Sequence, residues 1–173
     1  MYGQLPTVVK KINIKCTEMM FYQDMLIKIQ DGPQFHIEKR LYNIHNLIKI
    51  CVDDFITTFG NDEYYDSYVY LSAKHLFQPA NQSYNRPGWH SDGFGSDDIN
   101  YIWSNSQPTL FNNSKFNISQ DDQKSLDEMN FQAKPENNFT YPVNSLLKLD
   151  QYVIHRVGDI QEGLRCFAKV SFS

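Results

Sequence analysis

Apolar positions recur along the chain with two different periods. In "TVVKKINIKC" (7–16) and "DMLIKIQDG" (24–32) they alternate with polar residues and include β-branched side chains, which predicts two early strands, the second closing on a turn at Asp31-Gly32. From His36 to Phe59 the spacing lengthens. Ile37, Leu41, Ile44, Leu47, Ile48, Cys51, Val52, Phe55 and Ile56 fall on one helical face, so one amphipathic helix ended by Gly60 is expected. His36 and His45 lie at its start and beside its apolar stripe, where histidines pack or cap, and neither is assigned to a metal.

Period two returns in "DSYVYLSAKHLFQ" (66–78), followed by the turn-forming "PANQSYNRPGW". "INYIWSNSQPTLF" (99–111) reads as strand interrupted near Pro108, and 112–141 as a long polar connection with a short helix around Gln120 to Met129. "SLLKLDQYVIHRV" and "GLRCFAKVSFS" predict two closing strands around "GDIQEG". The chain is therefore mainly β with a flanking α-helix.

A length of 173 residues fits a single domain (1–173), with 1–65 supplying the N-terminal strands and supporting helix and 66–173 the β core. No apolar run approaches the roughly 20 residues of a spanning helix, so no membrane role is expected. The first residues lack a basic start and apolar block, which points to cytoplasmic localisation. Cys16, Cys51 and Cys166 are odd in number and lack Cys-x-x-Cys spacing, so reduced, buried thiols are expected. The net charge of −4 offers no general attraction for a polyanion, and nucleic acid is not indicated.

Candidate chemistry begins in "GWHSDGFGSDD" (88–98), where His90 and Asp92 stand two positions apart. Residues i and i+2 of an extended segment point the same way, so the pair could share a metal, although Gly, Ser and Asp also make ordinary polar turns. His155, in "YVIHRV", is the best candidate for a third ligand. Two imidazoles and one carboxylate form the facial triad of non-heme Fe(II) sites, which leaves positions open for substrate and O2. Arg165 follows ten positions later on the last strand, on the same side as Phe167 and Lys169, where a guanidinium could grip a carboxylate through two parallel hydrogen bonds. Individually, each of these residues also has a structural role open to it: turn, strand end or surface ion pair.

Taken in order, His90-Ser91-Asp92 and then His155, Val157, Ile160, Gly163 and Arg165 in "HRVGDIQEGLR" resemble the Fe(II)- and 2-oxoglutarate-dependent dioxygenases. The second group is similar to the distal-histidine pattern H-x-V-x-x-[VI]-x-x-G-x-R, of the kind found in prolyl-hydroxylase-like members, and the resemblance covers roughly residues 66 to 173. It implies a double-stranded β-helix, or jelly roll, with a metal at its open mouth. It further implies that His90, Asp92 and His155 bind Fe(II), and that Arg165 pairs with the far carboxylate of the co-substrate 2-oxoglutarate.

On this resemblance "YIWSN" matches the strand after the first ligands, so Tyr101 and Trp103 are expected to line the pocket, with Tyr70 and Tyr84 as further co-substrate candidates by position. Phe167 departs from the pattern, which often has Ser two residues after the arginine. Lys74 and Lys169 read as solvated strand residues. The implied activity is hydroxylation of an unidentified prime substrate with O2, releasing succinate and CO2; a small molecule or protein side chain is favoured and a nucleobase is open. The aromatic residues of 112–141 (Phe116, Phe131, Phe139 and Tyr141) are expected to border the entrance. The alternative is a non-catalytic jelly-roll module that binds a metal or ligand.

Overall fold

The computed structural model describes every residue except Ser83. The chain forms β1 (Thr7–Lys11), β2 (Met20–Lys28), a 3-10 segment (Lys39–Ile44), α1 (His45–Phe59), α2 (Asn61–Asp66) and β3 (Val69–Gln78). It continues through β4 (Ile99–Ser104), β5 (Leu110–Asn112), α3 (Asp122–Gln132), β6 (Asn138–Thr140), β7 (Ser145–Leu149), β8 (His155–Arg156) and β9 (Gly163–Phe172).

One sheet has the order β1-β7-β4-β9-β3-β2 and the other β6-β5-β8, with all pairs antiparallel. An isolated bridge between His90 and His155 extends the second sheet beyond β8. From β3 onward the chain passes from the large sheet to the bridge at His90, back to β4, across to β5 and β6, back to β7, across to β8 and back to β9. This double crossing is a jelly roll, as expected.

Alternation along the large sheet separates two environments. Leu71, Ala73, Tyr101, Trp103, Cys166, Ala168, Val170 and Phe172 share a core with the buried face of α1, Leu47, Ile48, Cys51, Val52 and Phe55. Phe55 stacks on Phe172 at 4.2 Å between ring centroids, and Tyr101 meets Phe172 edge-on at 5.6 Å. The Tyr101 hydroxyl donates to Asp54 Oδ2 (2.7 Å), which also accepts from Lys148 Nζ (2.8 Å), and Trp103 Nε1 donates to the Ile12 carbonyl (2.9 Å). The residues between them, including Ser72, Lys74, Ile102, Phe167 and Lys169, face the space between the sheets.

Several expected boundaries move. Residues 36–38 lie outside the helix, with His36 N–H donating to Ile27 O and Glu38 extended, and Leu41 and Ile44 sit in the 3-10 segment before α1 starts at His45. Their i,i+3 spacing satisfies a 3-10 turn as well as an α-helix, so periodicity does not separate the two. Helix α2 was not signalled because only Tyr64 of its residues is buried. "SLLKLDQYVIHRV" divides into β7 and β8 on different sheets, and β9 pairs with β3 and β4, not with β8. The expected closing hairpin is thus a crossing from one sheet to the other.

Cysteine usage also differs from expectation. Cys16 and Cys166 form a disulfide, tying the segment after β1 to β9, while Cys51 is a buried free thiol among the apolar residues of α1. The spacing of 150 residues carries no sequence signal of the pairing. Thiol titration of the denatured, unreduced chain is expected to find one reactive thiol, rising to three after reduction; three before reduction would contradict the disulfide.

Candidate metal centre

His155 and His90 face each other because their backbones pair. His90 N–H donates to His155 O (3.0 Å) and His155 N–H to His90 O (2.9 Å), while the Ser91 hydroxyl donates to the Gln151 carbonyl. The chain then turns at Asp92–Gly95, folding the carboxylate back between the two rings. Gly93 has φ +71°, and a Cβ there would lie 2.8 Å from Asp98 Cβ, so this turn favours glycine both conformationally and by close approach.

The imidazole nitrogens divide cleanly between two tasks. His90 Nδ1 lies 2.9 Å from Gly88 O and His155 Nδ1 3.2 Å from Val153 O, so protons on both Nδ1 atoms satisfy these carbonyls. Both Nε2 atoms are then turned to Asp92, whose Oδ1 is 3.9 Å from His90 Nε2 and whose Oδ2 is 3.7 Å from His155 Nε2, and they present lone pairs to a metal once no proton is shared with the carboxylate. One ligand atom from each residue fits within a span of 4.8 Å. Two nitrogens, one oxygen and fixed tautomers fit a divalent ion, with iron among those that suit imidazole and carboxylate.

Electrostatics reinforces this donor set. Burial, followed by the nearby His155, lowers the His90 pKa to about 4, so its ring stays neutral as metal binding requires. Burial alone would raise the Asp92 pKa, but His155, Lys169 and His90 outweigh it and hold the carboxyl well below its ordinary range.

The site opens into a cavity of about 300 Å³ whose walls include Ser72, Lys74, Arg86, Ile102, Val157, Phe167 and Lys169. Lys74 and Lys169 are therefore cavity residues, not solvated strand positions. Lys74 is buried, donating to Tyr84 O (2.9 Å), and Lys169 Nζ stands 3.5 Å from Asp92 Oδ2. Neither could be recognised without knowing which face of the sheet turns inward.

Arg165 lies deeper, 1% exposed, behind Phe167, whose ring centroid is 5.1 Å from the guanidinium carbon. Its Nε donates towards the Ser106 and Gln107 carbonyls (3.3 and 3.1 Å), while Nη1 and Nη2 are buried without a hydrogen-bond partner among the described residues. Two aligned, orphaned donors in a fixed guanidinium suit a carboxylate.

The other expected pocket residues separate. Tyr101 and Trp103 point away from the cavity into the core beneath α1, because Ile102 takes the inward position of β4. Tyr84 is 48% exposed and contributes its carbonyl to Lys74, not its ring to the cavity. Tyr70 borders an adjoining groove with Asn100 and Ser171. In 112–141, Phe116 is core, Phe131 and Phe139 are exposed and Tyr141 packs on Phe111, and none of the four lines the cavity.

That segment supports the site from behind. Asn130 on α3 accepts from Trp89 N–H (2.9 Å) and donates to Trp89 O (3.1 Å), clamping the residue before His90. Asn112, fully buried, donates to Lys134 O (2.8 Å) and Asn138 Oδ1 (2.7 Å), which gathers the polar connection.

No protein-family profile and no curated protein matches the chain. Among solved structures it is similar to EvdO2 from Micromonospora carbonacea var. aurantiaca, at 13% identity and a TM-score of 0.45, covering 79% of this chain and 66% of that one. It is also similar to an oxidoreductase of the 2OG-Fe(II) oxygenase family from Burkholderia pseudomallei, at 10% identity and a TM-score of 0.45, covering 87% of this chain and 65% of that one. The chain thus spans slightly less than two thirds of either protein's length, and the functional reading rests on the side chains of the cavity.

Two outcomes follow from this geometry. Asn130→Ala, which leaves both Trp89 backbone groups without these bonds, is expected to cost about 1–3 kcal/mol in urea unfolding and to weaken Mn(II) binding. In chelator-treated protein the depressed His90 pKa makes stability fall as pH drops from about 6.5 towards 4, because the unfolded chain takes up the proton first. Denaturation midpoints of wild type and His90→Asn check this, the variant showing the shallower decline.

Proposed function

We propose that the protein is an Fe(II)- and 2-oxoglutarate-dependent oxygenase that hydroxylates a substrate. The observation that carries this reading is the convergence of His90 Nε2, Asp92 and His155 Nε2 at a cavity mouth, with the orphaned Arg165 guanidinium at depth. His90, Asp92 and His155 would hold the ion. Fe(II) bound there would supply the redox chemistry coupling O2 to the decarboxylation of 2-oxoglutarate, with succinate and CO2 as products.

The chain's own residues prepare the site for that chemistry. The Gly88 and Val153 carbonyls orient the imidazoles, and Asp92 remains ionised to offset part of the metal charge. Arg165 binds the far carboxylate of 2-oxoglutarate through Nη1 and Nη2, with Nε already anchored. Phe167 lies between this guanidinium and the cavity, so its side chain must turn aside as the carboxylate enters. Ile102, Val157 and Phe167 are the apolar residues of an otherwise polar and charged cavity wall.

One contact favours a non-catalytic binding module instead. The Lys169 ammonium already neutralises Asp92 and could hold the pocket together without a metal.

Succinate formation from 2-oxoglutarate by Fe(II)-loaded protein on admission of O2 separates the two. Wild type is expected to turn over slowly without added substrate, His155→Ala to lose this at least 100-fold on removal of a ligand, and Arg165→Lys to raise the 2-oxoglutarate requirement about tenfold, consistent with a lost bidentate contact of about 1.4 kcal/mol. No succinate and no 2-oxoglutarate binding by metal-loaded wild type would favour the binding module.

A further inference from the structure

The cavity carries more positive charge than a metal and 2-oxoglutarate account for. Lys74, Arg86 and Lys169 line it and Arg165 lies behind Phe167, whereas Asp24 and Asp92 are the acidic residues in its wall. If a divalent ion and dianionic 2-oxoglutarate occupy the site, their charges cancel, and the four side-chain cations still exceed the two carboxylates by two. This surplus occurs within a chain of net charge −4. Like charges gathered in a partly enclosed cavity repel one another unless an anion joins them.

Two of these cations are available to a further ligand. Arg86 is exposed at the rim shared by the cavity and the adjoining groove beneath α3, and it makes no hydrogen bond or ion pair among the described residues. Lys169 has Asp92 as its ion-pair partner, and a divalent ion on Asp92 would compete for that carboxylate and repel the ammonium. Lys74 is already engaged by the Tyr84 carbonyl and lies across the β3–β9 pairing from Phe167, towards the Arg165 end.

We propose that the prime substrate is a small oxyanion-bearing molecule, a carboxylate or phosphate monoester, whose charged group is held by Arg86 and Lys169 at the cavity rim. The proposal rests on the oxygenase reading for the meaning of "substrate", but the anion site stands on these side chains alone. Arg86 supplies a planar pair of donors to the oxyanion from the rim. Lys169, close to Asp92, brings the charged end of the molecule next to the metal centre, so the oxidised carbon is one near that anionic group. Polyanions are disfavoured because Asp98 and Asp122 flank Arg86 on the groove side.

The test uses inorganic phosphate and acetate as probes on the full chain, followed by broadening of the phosphorus and methyl proton resonances. Each is titrated into metal-free protein and again with Mn(II) and saturating 2-oxoglutarate, with Mn(II) binding read separately by electron paramagnetic resonance. One probe is expected to bind with Mn(II) and 2-oxoglutarate present and more weakly in metal-free protein, where Lys169 stays paired with Asp92, with affinity lowered at least tenfold in Arg86→Ala and largely restored in Arg86→Lys. The tighter probe identifies the carboxylate or phosphate class.

Absence of binding by both probes, displacement by 2-oxoglutarate, or unchanged affinity in Arg86→Ala would overturn the proposal. Arg86-dependent anion binding with no Mn(II) binding would retain the anion site and remove the oxygenase reading. Mn(II) binding without Arg86-dependent anion binding would do the reverse.

Discussion

Two backbone hydrogen bonds, exchanged between His90 and His155, are the constraint on which the rest of the site depends. They join segments 65 positions apart in the sequence and set the two imidazoles 4.6 Å apart between ring centroids. Everything around them serves to hold that pairing. The Asn130 side chain clamps Trp89 from outside, Ser91 ties to Gln151, and the Gly93 turn returns Asp92 to the rings. The large sheet, with α1 packed on its other face, provides the rigid wall against which this mouth opens.

The charge pattern follows from the same architecture. Inward-facing positions of β3 and β9 place Lys74 and Lys169 along one cavity wall with Arg165 behind it, and alternation sends Ala73, Cys166 and Ala168 to the core beneath α1. A cluster of cations is costly inside a barrel that holds only itself. It becomes favourable when the interior receives anions, and the unpartnered Nη atoms of Arg165 mark one place where an anion fits. Asp92, held ionised, and His90, held neutral, complete the set of groups that face this interior.

Much of this was legible in the sequence, for identifiable reasons. His90, Asp92 and His155 could be picked out because metal chemistry restricts residue type and spacing together, and strand period alone puts Arg165, Phe167 and Lys169 on one side of β9. Tyr101 and Trp103 were misplaced because period two gives two faces without saying which one meets the helix. The same ambiguity hid Lys74 and Lys169, whose burial depends on partners across the sheet. The crossing between β7, β8 and β9 was read as a hairpin because the turn residues after His155 do not report which sheet each flanking strand joins. The Cys16–Cys166 disulfide had no local signal at all.

The central claim is that His90, Asp92 and His155 form one divalent-metal site. Its most direct test is an anaerobic Co(II) titration, followed by visible absorption, of wild type and Asp92→Ala. Wild type is expected to bind one equivalent with the weak bands of a five- or six-coordinate ion, and removal of the carboxylate to cost at least 100-fold in affinity. Binding of no Co(II) by wild type, or equal affinity in Asp92→Ala, would contradict it.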